Sequence, residues 1–326
     1  MKSVAHLGVL DGWRGVSILL VLAAHLLPLG PKAWHLNVAT GVAGMVIFFL
    51  LSGFLITSIL LKEVTVPDFL ARRFFRVVPL AWLYLAIVLA ISDASADTWL
   101  AHYFFYANLP PPHLIPLTAH LWSVCVEMQF YFGIVVLVLA FGTRGLLLLP
   151  ILCVLFTAVR AWNGVYASSI TWFRIDEILA GCALALAYHG HLGDGILRHL
   201  KTVPQLPMIM LLLLSCVDVG WLPYFRPYFA AVLVGATILN PDTALVRRLA
   251  ARPLVYVAGI SYALYVLHPL LAESWLGSGS GVEKYAKRPL LFVALFILAH
   301  LSTRHYERMW IAFGKRLAGR LGPAPR

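Results

Sequence analysis

Three side chains near the start of the chain could do chemistry together. Asp11, Arg14 and His25 are three and eleven residues apart. At about 100° per residue these steps keep all three on one face of a helix. Arg14 and His25 lie beside and within an otherwise apolar run, residues 15–29. An ionisable group there is costly and by default marks a functional position. Imidazole moves protons near neutral pH, and guanidinium holds anions.

A second set lies on a separate apolar run. His120, Ser123 and Glu127 are spaced by three and four, which makes one polar stripe on a helix. His25 lies about 16 Å along its helix from Arg14, and Glu127 about 12 Å into its own. If the two runs enter from opposite faces, His25 and Glu127 reach a similar depth, between the mid-bilayer and the outer leaflet. A lone Glu127 reads as a structural hydrogen bond; a Glu and a His at one depth read as a functional pair.

The remaining polar groups divide between anion binding and structure. Arg72, Arg73 and Arg76, with Lys62 before them and Pro79 after, read as a cationic loop between two runs. Basic loops are ordinary on a cytoplasmic face, but guanidinium forks also grip phosphates and suit a nucleotide-bearing cofactor. Arg14 would join them at the same level. Arg174, Asp176 and Glu177 open a later run, where an internal ion pair and a substrate contact fit equally well. His268, just before Pro269, ends another run, where water could satisfy it.

The elements that must position these groups are membrane spans. Of 326 residues, 61% are hydrophobic and 12% charged, with a mean hydropathy of +0.86. That charge fraction is about half the usual value for a soluble domain. Repeated apolar runs predict an all-α polytopic membrane protein of about ten transmembrane helices, at 13–30, 41–61, 77–92, 119–141, 145–160, 170–189, 206–220, 227–240, 254–272 and 289–303. Residues 93–118 read as an interfacial segment ending in a proline-rich turn. No repeat or composition shift marks a second domain, so residues 1–326 are expected to form a single transmembrane domain with no appended soluble domain. Lys2 and the following apolar stretch resemble a signal peptide, but no small-x-small cleavage site follows, so the first span is expected to be retained.

Charge and cysteine content exclude other classes. The net charge of +11 comes from basic residues scattered between runs, which speaks against nucleic-acid binding. Cys125, Cys153, Cys182 and Cys216 all fall in apolar runs without a CxxC pair, so neither a disulfide framework nor a metal site is expected. With the N-terminus inside, 18 of the 25 Lys and Arg residues fall on the cytoplasmic side and 7 outside. The bias follows the positive-inside rule and predicts cytoplasmic termini at the inner (plasma) membrane. The basic tail 304–326 could also touch anionic membrane lipids.

Six segments, in order, resemble the motifs of the acyltransferase family 3 membrane proteins. They are LDGWRGVSILLVLAAH at 10–25, FFLLSGFLIT at 48–57, FLARRFFRVVPLAW at 69–82, HLWSVCVEMQFYF at 120–132, RIDEILAG at 174–181 and ISYALYVLHPLL at 260–271. The resemblance implies transfer of an acyl group, usually acetyl, from acyl-CoA (acetyl-CoA) to a hydroxyl of a carbohydrate or glycosylated acceptor, as in polysaccharide modification. It places function at His25, Arg14, Arg72, Arg73, Arg76 and Glu127.

On this reading His25 and Glu127 are catalytic, with His25 the general base and Glu127 supporting its imidazolium. The four arginines hold the coenzyme A phosphates. Asp11, Ser123, Arg174, Asp176 and His268 are the candidates for substrate contact, and no metal is called for. A covalent acyl-imidazole on His25 is a second route. A secondary transporter would also use intramembrane His and Glu, but the inverted repeats common in that class are not evident. A scaffold protein would need neither Arg14 nor His25.

Overall fold

In a computed structural model of the chain, the structure describes residues 8–62 and 65–321. Lys2 and Arg326, two of the residues that carry the charge bias, lie outside them. The described residues contain helices and turns and no strand. In chain order the helices are α1 (Gly8–Leu26), α2 (Leu36–Leu60), α3 (Val66–Ile91), α4 (Ala96–Tyr103), α5 (Trp122–Phe141), α6 (Leu149–Trp162), α7 (Ile175–Tyr188) and α8 (Asp194–Thr202). They continue with α9 (Gln205–Ser215), α10 (Arg226–Leu239), α11 (Ala244–Leu249), α12 (Arg252–Gly259), α13 (Ser261–Ala272), α14 (Gly281–Ala286), α15 (Arg288–Leu301) and α16 (Arg308–Leu321).

Among the described residues, six stretches are long and apolar enough to cross a membrane: 8–26, 36–60, 66–91, 116–162, 222–239 and 288–320. The broken pair α12 and α13 makes a seventh if it is one span. The chain is therefore a multi-pass membrane protein. The stretch 116–162 contains two of the runs read from sequence, divided by the 3-10 turn Gly142–Leu148. The runs expected at 170–189 and 206–220 form helices of only 14 and 11 residues, shorter than the roughly 20 residues that cross a bilayer unaided.

One expectation is corrected. Arg72, Arg73 and Arg76 are not in a loop; they occupy the first three turns of α3. The helix starts earlier than its apolar run because Thr65 caps it, accepting from the Asp68 N–H at 3.4 Å, and a proline sits in its first turn. Both are start signals that hydropathy does not see. Likewise His120 precedes α5 on the 3-10 turn Pro116–Leu121, so the stripe with Ser123 and Glu127 is not one continuous helix face.

The helices group into two compact units, Met1–Ser58 with Leu137–Gly259, and Ile59–Val136 with Ile260–Arg326. The first is built on backbone contact between helices. A Cβ added at Gly53 would lie 1.9 Å from the Ile178 carbonyl oxygen, and one at Gly181 2.0 Å from that of Leu50, so α2 and α7 touch at reciprocal glycines. Small residues allow this approach where lipid gives no hydrophobic drive for association. Trp13 donates from Nε1 to Thr237 at 3.0 Å, tying α1 to α10. Asn37 Nδ2 donates to the Ala24 and Leu27 carbonyls, each at 2.7 Å, and fixes the exit of α1 to the start of α2.

The second unit centres on α3. Phe75 stacks on Trp310 at 5.9 Å, and Gly314 leaves room for its ring, joining α16 to α3. Pro79 removes one N–H from α3. Around it Tyr262 donates to the Val77 carbonyl at 2.6 Å and Tyr306 to that of Pro79 at 3.2 Å. Residues Ser302–Glu307 form a π-helical turn between α15 and α16, a geometry common at functional sites.

Candidate functional site

The first unit carries the α1 stripe. Arg14 and His25 share their face with Ile18, Val21 and Leu22, all at most 4% exposed. The stripe thus points into protein, not at lipid. His25, in the last turn of α1, is nonetheless exposed at the protein surface, and Asp11 and Arg14 are half-buried.

Below the loops of the same unit lies a buried ion cluster. Arg160 pairs with Asp176 at 2.9 Å. Glu177 bridges Arg226 at 3.0 Å and Arg174 at 3.3 Å. All five side chains are at most 2% exposed. Thr157 donates to Asp176 at 3.2 Å and itself accepts from the Tyr228 hydroxyl at 3.0 Å. The cluster also reaches backbone: Arg160 donates to the Pro223 and Tyr224 carbonyls at 3.3 and 3.2 Å, and Arg226 to that of Tyr166 at 3.3 Å. The Arg226 guanidinium lies 5.7 Å over the Tyr166 ring. Burial pushes the Tyr166 phenol above its ordinary value, with Arg226 opposing. Arg174 and Asp176, expected to contact substrate, are thus placed in a packed ionic network that fixes two loops.

The second unit gathers a different set. Glu127 is buried and accepts from the Tyr131 hydroxyl at 2.5 Å, one turn along α5. Glu307, in the π turn, is equally buried and accepts from Thr303 at 2.6 Å. Arg76 lies within electrostatic range of both carboxylates and of Tyr131, with Arg73 repelling it. Arg72 turns away and pairs with Asp68 at 2.8 Å, half exposed. The three arginines are therefore not equivalent: Arg76 lies in the field of two buried acids and Arg72 is a helix-surface pair.

Ser123, His120 and His268 form a neighbouring network. The Tyr265 hydroxyl donates to the His120 carbonyl, and its single proton is thereby used. Ser123, 2.6 Å from the same oxygen, must then be the donor to Tyr265. His120 donates from Nε2 to the Val266 carbonyl at 3.2 Å, and His268 from Nδ1 to that of Tyr265 at 2.7 Å. The two imidazoles meet at 5.2 Å between ring centres. His268 is 1% exposed, so the expectation of a water-satisfied interfacial histidine is corrected: it is held inside α13.

Sequence reasoning missed Tyr131, Tyr262 and Glu307, and the partners Arg160 and Arg226. Glu307 carried a signal, being the lone acid in the basic segment 304–326. Arg160 and Arg226 carried one too, as arginines on the side where basic residues are scarce.

Comparisons with known proteins bear on this arrangement. The peptidoglycan O-acetyltransferase OatA of Listeria monocytogenes is 26% identical across 91% of this chain and 54% of its own length. A Bacillus subtilis protein, YrhL, provisionally named a peptidoglycan O-acetyltransferase, is 28% identical across 92% of the chain and 54% of its own length. The chain thus spans about half the length of these curated relatives. No solved structure matches it. The acyltransferase domain profile matches residues 7–303, a stretch that takes in the α1 stripe, the ion cluster and Glu127, and the chain belongs to that acyltransferase family.

Proposed function

We propose that this chain is an integral-membrane O-acyltransferase that moves an acetyl group from acetyl-CoA to a carbohydrate hydroxyl, with a peptidoglycan sugar the first acceptor to try. The observation that carries the reading is His25: an accessible imidazole at the end of a helix face that otherwise packs into protein. Family membership and the names of the two relatives support the reaction class.

In the proposed reaction the acceptor hydroxyl oxygen attacks the thioester carbonyl carbon as His25 takes its proton. The C–S bond then breaks, and coenzyme A leaves as the thiol after protonation. Glu127 is assigned stabilisation of the imidazolium, on the similar depth that the sequence gives the two residues. Arg14, Arg73 and Arg76 are assigned the donor's phosphates, with Arg72 at their rim. Asp11, one turn before Arg14, is assigned a substrate contact at the cytoplasmic end of the α1 stripe. Arg174 and Asp176 are positioning residues acting through the ion cluster, and Ser123 and His268 through Tyr265. Residues 1–326 act as one transmembrane acyltransferase domain of ten spans with cytoplasmic termini in the inner membrane.

The test is coenzyme A release from acetyl-CoA by the purified chain in nanodiscs, with and without solubilised peptidoglycan fragments. Acceptor-stimulated release should fall by about 10²–10⁴-fold in His25→Ala, the contribution of a general base. Arg76→Ala should raise the KM for acetyl-CoA. Wild-type turnover retained in both His25→Ala and Glu127→Ala would end the assignment.

A further inference from the structure

Apart from the α1 stripe, the first unit contains a cavity of about 290 Å³. Its walls come from three segments far apart in sequence: Trp34, His35 and Val38 after α1, Tyr166 after α6, and Val217 and Asp218 after α9. On the proposed topology all three segments lie on the outer face, the side opposite the coenzyme A arginines. We propose that this cavity is a carbohydrate subsite holding one neutral sugar ring of the acceptor. The assignment rests on the proposed acyltransferase reading for its role, and on the cavity alone for its ligand class.

The walls are built, not incidental. The Lys32–Trp34 turn is closed by the Trp34 N–H donating to Pro31 at 3.0 Å and the His35 N–H to Lys32 at 3.1 Å. His35 has a φ of 50°, left-handed backbone that few non-glycine residues adopt. This turn displays Trp34 with 65% of its surface exposed. Asn37 clamps the same segment to the end of α1, through the Ala24 and Leu27 carbonyls on either side of His25. The opposite wall is held by the Tyr166 hydroxyl donating to the Cys216 carbonyl and by Arg226 beneath the Tyr166 ring. Both walls are therefore fixed before a ligand arrives, and one is fastened to the helix that carries His25.

The lining selects the ligand. An aromatic face beside a few placed polar groups is the usual make-up of a small-ligand site, and the volume is near the lower end for such sites. Trp34 can cover the apolar face of a sugar ring. The Asp218 carboxylate accepts from hydroxyls, as does the Tyr166 oxygen, whose own proton is already given to Cys216. Among the described residues no lysine or arginine lines the cavity, and Asp218 repels anions, which disfavours phosphate-bearing groups.

The test uses the full chain in nanodiscs and a β-1,4-linked N-acetylglucosamine tetramer as probe, read by saturation-transfer NMR and titration. Trp34→Ala and Asp218→Asn should each weaken binding by roughly tenfold, the loss expected of one charge-assisted hydrogen bond or its equivalent in contact. In turnover both should raise the acceptor KM with kcat and the acetyl-CoA KM unchanged. Asp218→Asn is isosteric and exposed, so it tests the site without disturbing the fold. Equal binding by wild type and both variants would overturn the subsite, and displacement of the tetramer by choline or inorganic phosphate would overturn the ligand class. Tetramer binding lost in the variants while the wild type transfers no acetyl group would confirm the subsite and sink the transferase reading alone.

Discussion

Glu177 lies between two guanidiniums, 3.0 Å from Arg226 and 3.3 Å from Arg174, with no accessible surface on its side chain. With Arg160 and Asp176 the cluster holds three positive groups and two negative ones, so neutralising either acid leaves buried guanidiniums further from balance. Removing one partner from a buried pair typically costs about 3–5 kcal/mol. Glu177→Gln should therefore lower the thermal midpoint in detergent sharply, while Glu283→Gln, which weakens the Lys287–Glu283 pair at its exposed member, should leave it nearly unchanged. An unchanged midpoint in Glu177→Gln would mean that the cluster does not hold the loops. The sequence shows that Arg174 and Glu177 are one turn apart and stops there. The contact that decides their role comes from Arg226, 49 residues from Glu177, and such a distance is invisible to local spacing. Glu127 and His25 were legible for the opposite reason: a single ionisable group stands out against an apolar run.

At the scale of elements, hydropathy located the long helices and misjudged what starts and interrupts them. It missed the first turns of α3 because Arg72, Arg73 and Arg76 are polar, although a cap and a first-turn proline make them helical. Within residues 93–118, read as an interfacial segment, hydropathy did not reveal α4, capped by Ser95 and anchored by His102. His102 is buried; its Nδ1 donates to the Thr98 carbonyl at 2.7 Å, and its Nε2 lies 2.7 Å from the Thr118 hydroxyl. Burial holds its pKa below the ordinary 6.5, with His113 adding to the effect and the Thr98 bond opposing it. Above about pH 6.5 the ring is neutral both folded and unfolded, and it makes no demand on stability. Below that, the unfolded chain takes up the proton first, so stability falls as pH drops toward the folded-state value. The thermal midpoint should decline between pH 7.5 and 5.5, and by less in His102→Gln, which cannot titrate. Parallel declines in the two proteins would place the acid sensitivity elsewhere.

For the whole molecule the open quantity is which face each loop occupies, and the structure changes the weight of the charge count that bears on it. Of the seven basic residues assigned to the outer side, Arg160, Arg174 and Arg226 are the buried members of the ion cluster. A buried, paired arginine carries no information about loop charge, because the positive-inside bias concerns residues in contact with the aqueous phase beside the membrane. Setting these three aside strengthens the assignment of cytoplasmic termini. On that proposed orientation the segments around Trp34, Tyr166 and Asp218 share the outer face, and these are the segments that enclose one cavity in the structure. The four native cysteines are buried, so single added cysteines can be read against a low background with a membrane-impermeant maleimide on intact cells. Ala167→Cys should label from outside, whereas Lys62→Cys and Lys315→Cys should label only after the membrane is opened. Ala167→Cys protected in intact cells while Lys62→Cys reacts would invert the molecule and put the carbohydrate subsite on the wrong face for a surface glycan. Ala167→Cys and Lys62→Cys reacting from the same side would break the ten-span count, because it places an odd number of crossings between residues 62 and 167.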